Sequence, residues 1–452
     1  MEIKNKRILI MGLGVTGVSS LKILKKHTTD IFVYDNKPIH IIEQKLKDEN
    51  FLSVKIIEID NLKELQNIDL IVKSPGIKPD HIMLQKAKEM NILVISDIEL
   101  AYFLRNTQNI VGITGTNGKT TSTILAGEIF RAWGKKTFVT GNVGVGILEK
   151  IEEVKKEDVL VIELSSFQLE HTYSFRPKVA LLLNITPDHL DWHKTIENYI
   201  DAKLKIFKNQ TQDDYLVLNY DDPILRKLKD SVSSQTIWFS VKEELSDGIF
   251  IKKDHIVYKN EGIEEMIISL DDIKLLGKHN LENICGVIGL AKAFRIDTNI
   301  IASTIKRFKG VPHRLEFVGE HKDVKYYNDS KGTNIDSTIK AIEALEGPLV
   351  LIAGGYDKGA TYDKLIDNFK NKVESLILIG QTKYLIKESA LKKDIKDIYI
   401  LDNMEGAVLK AIEISKPGTN VLLSPACASW DMYNCFEERG DHFKKLVMEL
   451  TE

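Results

Sequence analysis

Ile110-Val111-Gly112-Ile113-Thr114-Gly115-Thr116-Asn117-Gly118-Lys119-Thr120-Thr121 opens as an apolar, β-branched run, turns through glycines, and closes on Lys-Thr-Thr ahead of an amphipathic stretch reaching about Trp133. That order predicts strand, glycine loop and helix, the layout of a phosphate-binding loop. Glycines let successive backbone N–H groups turn inward at a helix N-terminus, where they and the helix dipole favour an anion. Lys119 supplies a positive charge to the β- and γ-phosphates, and the Thr120 hydroxyl suits Mg²⁺. Strict GxxxxGK[ST] spacing asks for glycine at position 113; Ile113 stands there, flanked by Gly112 and Gly115. The bland alternative is an ordinary glycine turn before a helix.

The same unit recurs on both sides of this loop. Short Ile/Val/Leu runs are each followed by a Gly or Asp turn and an amphipathic stretch, which predicts βα units around parallel sheets and an α/β fold. Predicted strands are Arg7-Met11, Ile31-Tyr34, Leu70-Lys73, Ile110-Thr114, Val159-Glu163, Val179-Ile185, Leu216-Leu218, Leu349-Ala353, Leu376-Ile379 and Val421-Ser424. Several lack polar alternation, as strands covered on both faces do. A polar step at Arg105-Asn109 and a Gly/Pro break at Lys309-Pro312 divide the chain into domains 1–105, 106–310 and 311–452. The expected architecture is a Rossmann-like first domain, a central P-loop domain with a mainly parallel sheet, and a Rossmann-like third domain. Within 243–270, Gly248-Ile251 and His255-Tyr258 alternate, which predicts an antiparallel extension of the central sheet.

Composition excludes several classes. At 452 residues the chain has room for two to four domains. With 62 Lys+Arg against 65 Asp+Glu, it lacks the basic field that non-specific nucleic-acid binding uses. Three cysteines without CxxC spacing argue against a disulfide framework and a structural zinc site, and fit a reducing cytoplasm. The apolar opening Ile8-Met11 is broken by Gly12 and Gly14, and no apolar run approaches a membrane span, so neither signal peptide nor anchor is expected. Monomer is the default oligomeric expectation.

Gly12-Leu13-Gly14-Val15-Thr16-Gly17 follows the first predicted strand and opens a helix, and Asp35 ends the second strand about 20 residues on. This dinucleotide-type fingerprint admits any ligand whose diphosphate sits on a helix N-terminus; NAD, FAD and a UDP-sugar are not separated by spacing. Ser74-Pro75-Gly76 falls at the same carboxyl edge. Glu163 ends an apolar strand where it can face a P-loop Mg²⁺, and Asp188-His189 follows another; oxygen donors plus one imidazole around phosphates suit Mg²⁺ or Mn²⁺ better than zinc. Asn280 and Asn283 lie one turn apart on a helix, a spacing that favours capping over ligand binding. His313-Arg314, Asn328-Asp329-Ser330-Lys331-Gly332-Thr333-Asn334 and Gly354-Gly355-Tyr356-Asp357-Lys358 place polar residues after successive strands of the third domain.

Taken together, the GTNGKT loop, the strand-end glutamate, Asn184-to-His189, Gly277-to-Asn283, the His313-Arg314 pair and Asp329-to-Asn334 resemble the Mur ligase family over nearly the whole chain. Glu163-Leu164-Ser165-Ser166-Phe167-Gln168-Leu169, Ser424-Pro425-Ala426-Cys427-Ala428-Ser429-Trp430-Asp431 and Phe436-Glu437-Glu438-Arg439-Gly440 resemble its D-glutamate-adding member. The resemblance implies a cytoplasmic ATP-dependent amide ligase of peptidoglycan synthesis. It would join the alanyl carboxylate of UDP-MurNAc-L-Ala to the amine of D-glutamate through an acyl phosphate.

Residue by residue, it implies that Gly115, Thr116, Asn117, Gly118, Lys119, Thr120 and Thr121 hold ATP phosphates, with Lys331 also on the phosphates and Asn283, Arg314 and Asp329 on ATP. Thr120 and Glu163 would bind one Mg²⁺, and His189 with a carbamylated Lys203 a second. Val15, Thr16, Asp35, Asn36, Ser74, Gly76, Asn142 and His189 would meet the UDP-substrate; Asn36 stands where relatives commonly carry Thr or Ser. Thr333, Lys358, Ser429 and Phe436 would receive D-glutamate, and Cys427 and Cys435, flanking that pocket, read as buried small residues. A nicotinamide oxidoreductase leaves the P-loop, Glu163 and the third domain without a role. A P-loop switch that has lost catalysis should lack Glu163, His189 or Lys203, and all three are present. A ligase adding L-alanine or a diamino acid is opposed by the C-terminal segment.

Overall fold

The computed structural model describes residues 3–228, 232–275, 277–393, 395 and 397–451, and among them twenty strands form three sheets. The first sheet holds β1 (Ile8–Met11), β2 (Ile31–Tyr34), β3 (Lys55–Ile56), β4 (Leu70–Lys73) and β5 (Leu93–Ser96), ordered β3-β2-β1-β4-β5 and parallel throughout. The strand order reverses between β1 and β4, and a crevice at the carboxyl ends of such a pair is where doubly wound sheets take ligands.

The second sheet holds β6 (Ile110–Thr114), β7 (Thr137–Gly141), β8 (Val159–Glu163), β9 (Val179–Leu182), β10 (Tyr215–Asn219), β11 (Gln235–Ser240), β12 (Gly248–Lys252), β13 (His255–Asn260) and β14 (Ile263–Ser269). Its order is β14-β13-β12-β11-β10-β9-β6-β8-β7. The β12-β13-β14 edge is antiparallel where the sequence alternates, and the strands from β7 to β12 run parallel. The third sheet holds β15 (Glu316–His321), β16 (Val324–Asn328), β17 (Leu349–Ala353), β18 (Val373–Leu378), β19 (Ile398–Ile400) and β20 (Asn420–Leu423), in the order β15-β16-β20-β17-β18-β19 with only β15 antiparallel.

The chain forms two compact units, Met1–Ile273 with Leu281–Lys306, and Lys274–Asn280 with Arg307–Glu452. In the first, one apolar cluster runs through both sheets, from Ile8, Leu24 and Val72 to Ile147, Leu160 and Leu182. The strand sets therefore change between Ser96 and Ile110 without a break in the core. In the second, alternate residues of β17 and β18 pack on opposite faces: Leu349, Leu351, Leu376 and Leu378 on one, Val350, Ile352 and Ile377 on the other. Each such fully buried side chain contributes about 1.5–3 kcal/mol of transfer free energy. The turns at the strand ends are thus set on a rigid base.

Candidate active site

From β6 the chain turns through Gly115–Gly118 into the helix Lys119–Ala132. Gly118 caps that helix at φ +83°, and a Cβ there would stand 2.0 Å from Asn283 Oδ1. Glycine is required for the left-handed backbone and again for the asparagine pressed against it. The same contact corrects the reading from spacing: Asn283 lies inside the helix Lys278–Ala293, buried at the loop, so it is no cap. Thr116 N donates to Asn184 O (2.9 Å) and Asn117 N to Asn184 Oδ1 (2.9 Å), which fixes the loop to the segment after β9. Lys119 Nζ donates to Gly115 O (2.9 Å) and Thr116 O (2.8 Å), and Thr120 and Thr121 are buried in the first helical turn.

β6 and β8 pair with Ile113 opposite Glu163, so the strand-end carboxylate sits beside the loop. Glu163 is 2% exposed; Oε1 accepts from Asn142 Nδ2 (2.9 Å), while Oε2 is buried with no hydrogen-bond partner. An orphaned buried anion is costly unless a cation completes it. Lys203 is 1% exposed, donates to Gly115 O (2.8 Å), and lies 4.8 Å from the Tyr199 ring. Burial, reinforced by Lys119, pushes its amine well below the ordinary lysine range, against the pull of Asp188. His189 adopts φ +53° and its ring lies tilted, 4.9 Å from that of Phe167, its side chain half exposed. Among the described residues, no group of three or more His, Cys, Asp and Glu is placed to hold a metal. The donors here, the Thr120 hydroxyl, the Glu163 carboxylate and the His189 imidazole, fit ions whose coordination phosphate oxygens complete.

At the first sheet, Leu13 N donates to Asp35 Oδ2 (2.6 Å) and Lys37 N to Asp35 Oδ1 (3.1 Å), so this carboxylate holds the fingerprint turn. Ser74 Oγ donates to Gly12 O (3.1 Å), closing the β1–β4 crevice from its other side. Gly17 is where the helix meets that turn: a Cβ there would lie 1.7 Å from Gly12 O. Val15 is 74% exposed at the start of the helix Val15–Leu24. Tyr34 Oη donates to Asn36 Oδ1 (2.7 Å), and Asn36 itself is exposed.

In the second unit, Asp329 is buried; Oδ2 accepts from Ser424 Oγ (2.7 Å) and Oδ1 from Leu315 N (3.1 Å), and burial raises its pKa to about 6. Lys331 Nζ lies 5.3 Å over the Phe436 ring, and Thr333 N donates to Lys331 O. Lys358 Nζ lies 5.0 Å over Trp430, next to Ser429, whose buried Oγ has no partner. Arg314 acts on both His279 and Asp329 electrostatically. Arg439, to which the sequence motifs give no role of its own, is fully buried and donates to Ser330 O and Oγ and to the carbonyls of Cys427 and Ala428. It ties the turn carrying Lys331 to the loop carrying Ser429. No local signal marks it, because its partners lie far away in sequence. Cys427 is buried beside Tyr362 and Thr382 as expected, but Cys435 is exposed, because it falls in the surface turn before the helix Phe436–Thr451.

Family models match three stretches: the Mur ligase MurD-like N-terminal domain at 6–96, the Mur ligase middle domain at 113–291, and the Mur ligase glutamate ligase domain at 313–427. A protein named UDP-N-acetylmuramoylalanine--D-glutamate ligase from Caldanaerobacter subterraneus subsp. tengcongensis is 46% identical over 454 residues, covering 100% of both chains. One of the same name from Clostridioides difficile is 45% identical over 456 residues with the same coverage. Among solved structures, UDP-N-acetylmuramate-alanine ligase from Thermotoga maritima shares the fold at TM-score 0.59 and 18% identity, covering 99% of this chain and 100% of that one. MurF ligase from the same organism, solved in complex with ADP, aligns at TM-score 0.58 and 18% identity, covering 99% and 96%.

Proposed function

The chain belongs to the Mur ligase family, and from that membership we propose that it is the ATP-dependent ligase that adds D-glutamate to UDP-N-acetylmuramoyl-L-alanine in peptidoglycan synthesis. The geometric observation that carries the ligase chemistry is Glu163, buried with a free Oε2 beside a Gly-Lys-Thr loop. The full-length identity to relatives of that name supports the choice of D-glutamate.

A carboxylate is a poor electrophile. Transfer of the γ-phosphoryl group of ATP to the alanyl carboxylate gives an acyl phosphate and ADP; attack by the glutamate amine then forms the amide and expels phosphate. Gly115 to Thr121 hold the phosphates by backbone N–H groups, and Lys119 stabilises charge on the transferring group. Bound Mg²⁺ supplies charge neutralisation around those phosphates; Thr120 and Glu163 would hold one ion, His189 and a carbamylated Lys203 the other, and Mn²⁺ suits the same donors. Burial pushes the Lys203 amine well below the ordinary lysine range, towards the unprotonated form that a reaction with CO₂ requires. Asn283, Arg314, Asp329 and Lys331 bind ATP. Val15, Thr16, Asp35, Asn36, Ser74, Gly76 and Asn142 bind the UDP-sugar. Thr333, Lys358, Ser429 and Phe436 receive D-glutamate, Lys358 meeting a carboxylate. On this reading the domains meet at 105/106 and 310/311, and the chain works as a monomer in the cytoplasm. Among the described residues no helix is long and apolar enough to cross a membrane.

The test is incubation with ATP, Mg²⁺, UDP-MurNAc-L-Ala and, in parallel, D-Glu, L-Glu, L-Ala or a diamino acid, following phosphate release and product mass. Release confined to D-Glu, with a mass gain of one glutamyl residue, is expected. Turnover with another amino acid instead would move the specificity, and no turnover with any would sink the ligase reading.

A further inference from the structure

Behind Asn36, at the carboxyl end of β2, three groups form a chain of hydrogen bonds. The Tyr34 hydroxyl lies 2.7 Å from Asn36 Oδ1 and 3.1 Å from His81 Nε2, and His81 Nδ1 lies 3.2 Å from Met83 N. The last contact sets every proton. A backbone N–H can only donate, so Nδ1 carries the lone pair and the neutral ring holds its proton on Nε2. Burial lowers the His81 pKa against the opposite pull of Asp80, in the direction the Met83 contact requires. Nε2–H therefore donates to Tyr34 Oη, and the tyrosine proton goes to Asn36 Oδ1. Tyr34 is 5% exposed and edge-on to the His81 ring at 5.1 Å, so packing holds the relay.

With Oδ1 occupied, the exposed Asn36 side chain offers its two Nδ2 hydrogens. Asp35, beside it, already accepts from Leu13 N and Lys37 N. Position 36 follows a strand end next to the switch-point crevice, where the far end of a nucleotide bound on the fingerprint turn is read. We propose that His81 and Tyr34 are positioning residues that lock Asn36 as a hydrogen-bond donor, so that the chain selects a pyrimidine with a 4-carbonyl group over one with a 4-amino group. The inference rests on the reading that a UDP-linked substrate occupies the first-sheet crevice. A 4-carbonyl oxygen accepts from the fixed amide, whereas a 4-amino group sets donor against donor and leaves both unmatched.

The test is calorimetric titration of the full chain with UDP and with CDP, for the wild type and for Tyr34→Phe and Asn36→Asp, each checked by thermal melting. The wild type should bind UDP ~10-fold or more tighter than CDP, the ordinary effect of one unmatched hydrogen bond. Tyr34→Phe removes only the hydroxyl that orients the amide and should bring the ratio to ~3-fold or less, while Asn36→Asp, an acceptor in place of a donor, should favour CDP. Folded variants that keep the wild-type ratio, or a wild type that binds both nucleotides equally, overturn the relay and leave the ligase reading standing. A wild type that binds neither nucleotide overturns the ligase reading itself.

Discussion

After β1 the chain turns through Gly12 to Gly17, and after β6 through Gly115 to Gly118; both turns are glycine-bounded and open a helix, the second with Lys119 as its first residue. Their surroundings differ far more. At the second, Lys119, Lys203, Glu163 and Thr120 converge, three of the four at most 5% exposed. At the first, Asp35 and Ser74 bond to the turn's own backbone, and Gly17 lets the helix meet it. Burying charge is costly and is worthwhile where charge develops during a reaction; holding a ligand needs only shape and backbone donors. The contrast supports the proposal that chemistry takes place at the second turn and binding at the first, and substitutions at each should separate kcat from KM.

The largest effect is expected at Lys119. Lys119→Ala removes the one cation of the loop and should lower kcat by ~10²–10³-fold in a phosphate-release assay; a fall of less than ~10-fold would mean that the turn binds without catalysing. Next is Glu163→Gln, which keeps shape and removes charge. A drop of ~10²-fold in kcat, with the Mg²⁺ requirement displaced to higher concentration, is the expected result. An unchanged Mg²⁺ titration would remove Glu163 from the metal site.

How much of this contrast the sequence exposes depends on distance along the chain. Gly-Lys-Thr after an apolar strand is a local pattern, and Glu163 is legible because a carboxylate breaks the apolar run Val159-Leu160-Val161-Ile162 at a position that is still buried. Strands such as β4 and β17 are legible for the same reason, being buried on both faces. β15 at the edge, half exposed and reading Glu-Phe-Val-Gly-Glu-His, carries no such run and escapes notice, as does the two-residue β3. The side chains that tune the sites are the least legible. Arg439 finds Ser330 across 109 positions and Tyr34 finds His81 across 47, and no local propensity encodes either meeting. Asn283 misleads in the other direction: its spacing suggests a cap, and only the tertiary fold sets it against Gly118.

On the binding side, Asp35→Asn keeps one acceptor and loses the charge that holds Leu13 N and Lys37 N. The KM for the UDP-substrate should rise ~10-fold while kcat stays within ~3-fold, because the lost interaction is equal in ground and transition states. A matching fall in kcat would show that the first turn also acts in the chemical step and would erase the contrast.

The smallest effect tests a charge that the first region does bury. Lys73 ends β4 directly before Ser74, is 2% exposed, and lies 5.3 Å from the Trp192 ring. Burial pushes its pKa down to about 8, against the pull of Glu170 and Asp97. In the unfolded chain the group returns to ~10.4, so between these values the unfolded state holds the extra proton and stability grows as pH rises. Lys73→Met abolishes that term. The stability of the wild type relative to the variant, measured by denaturant unfolding from pH 8 to about pH 10, should therefore climb by roughly 1 kcal/mol per pH unit at most. Asp97, held near 6, and His171, held near 3, do not titrate in that window. At neutral pH the variant's kcat should match the wild type's. If the stability difference stays flat, Lys73 is not the desolvated cation its burial implies. If kcat falls with it, a buried charge behind the fingerprint turn serves the reaction, and the division between a turn that binds and a turn that reacts no longer holds.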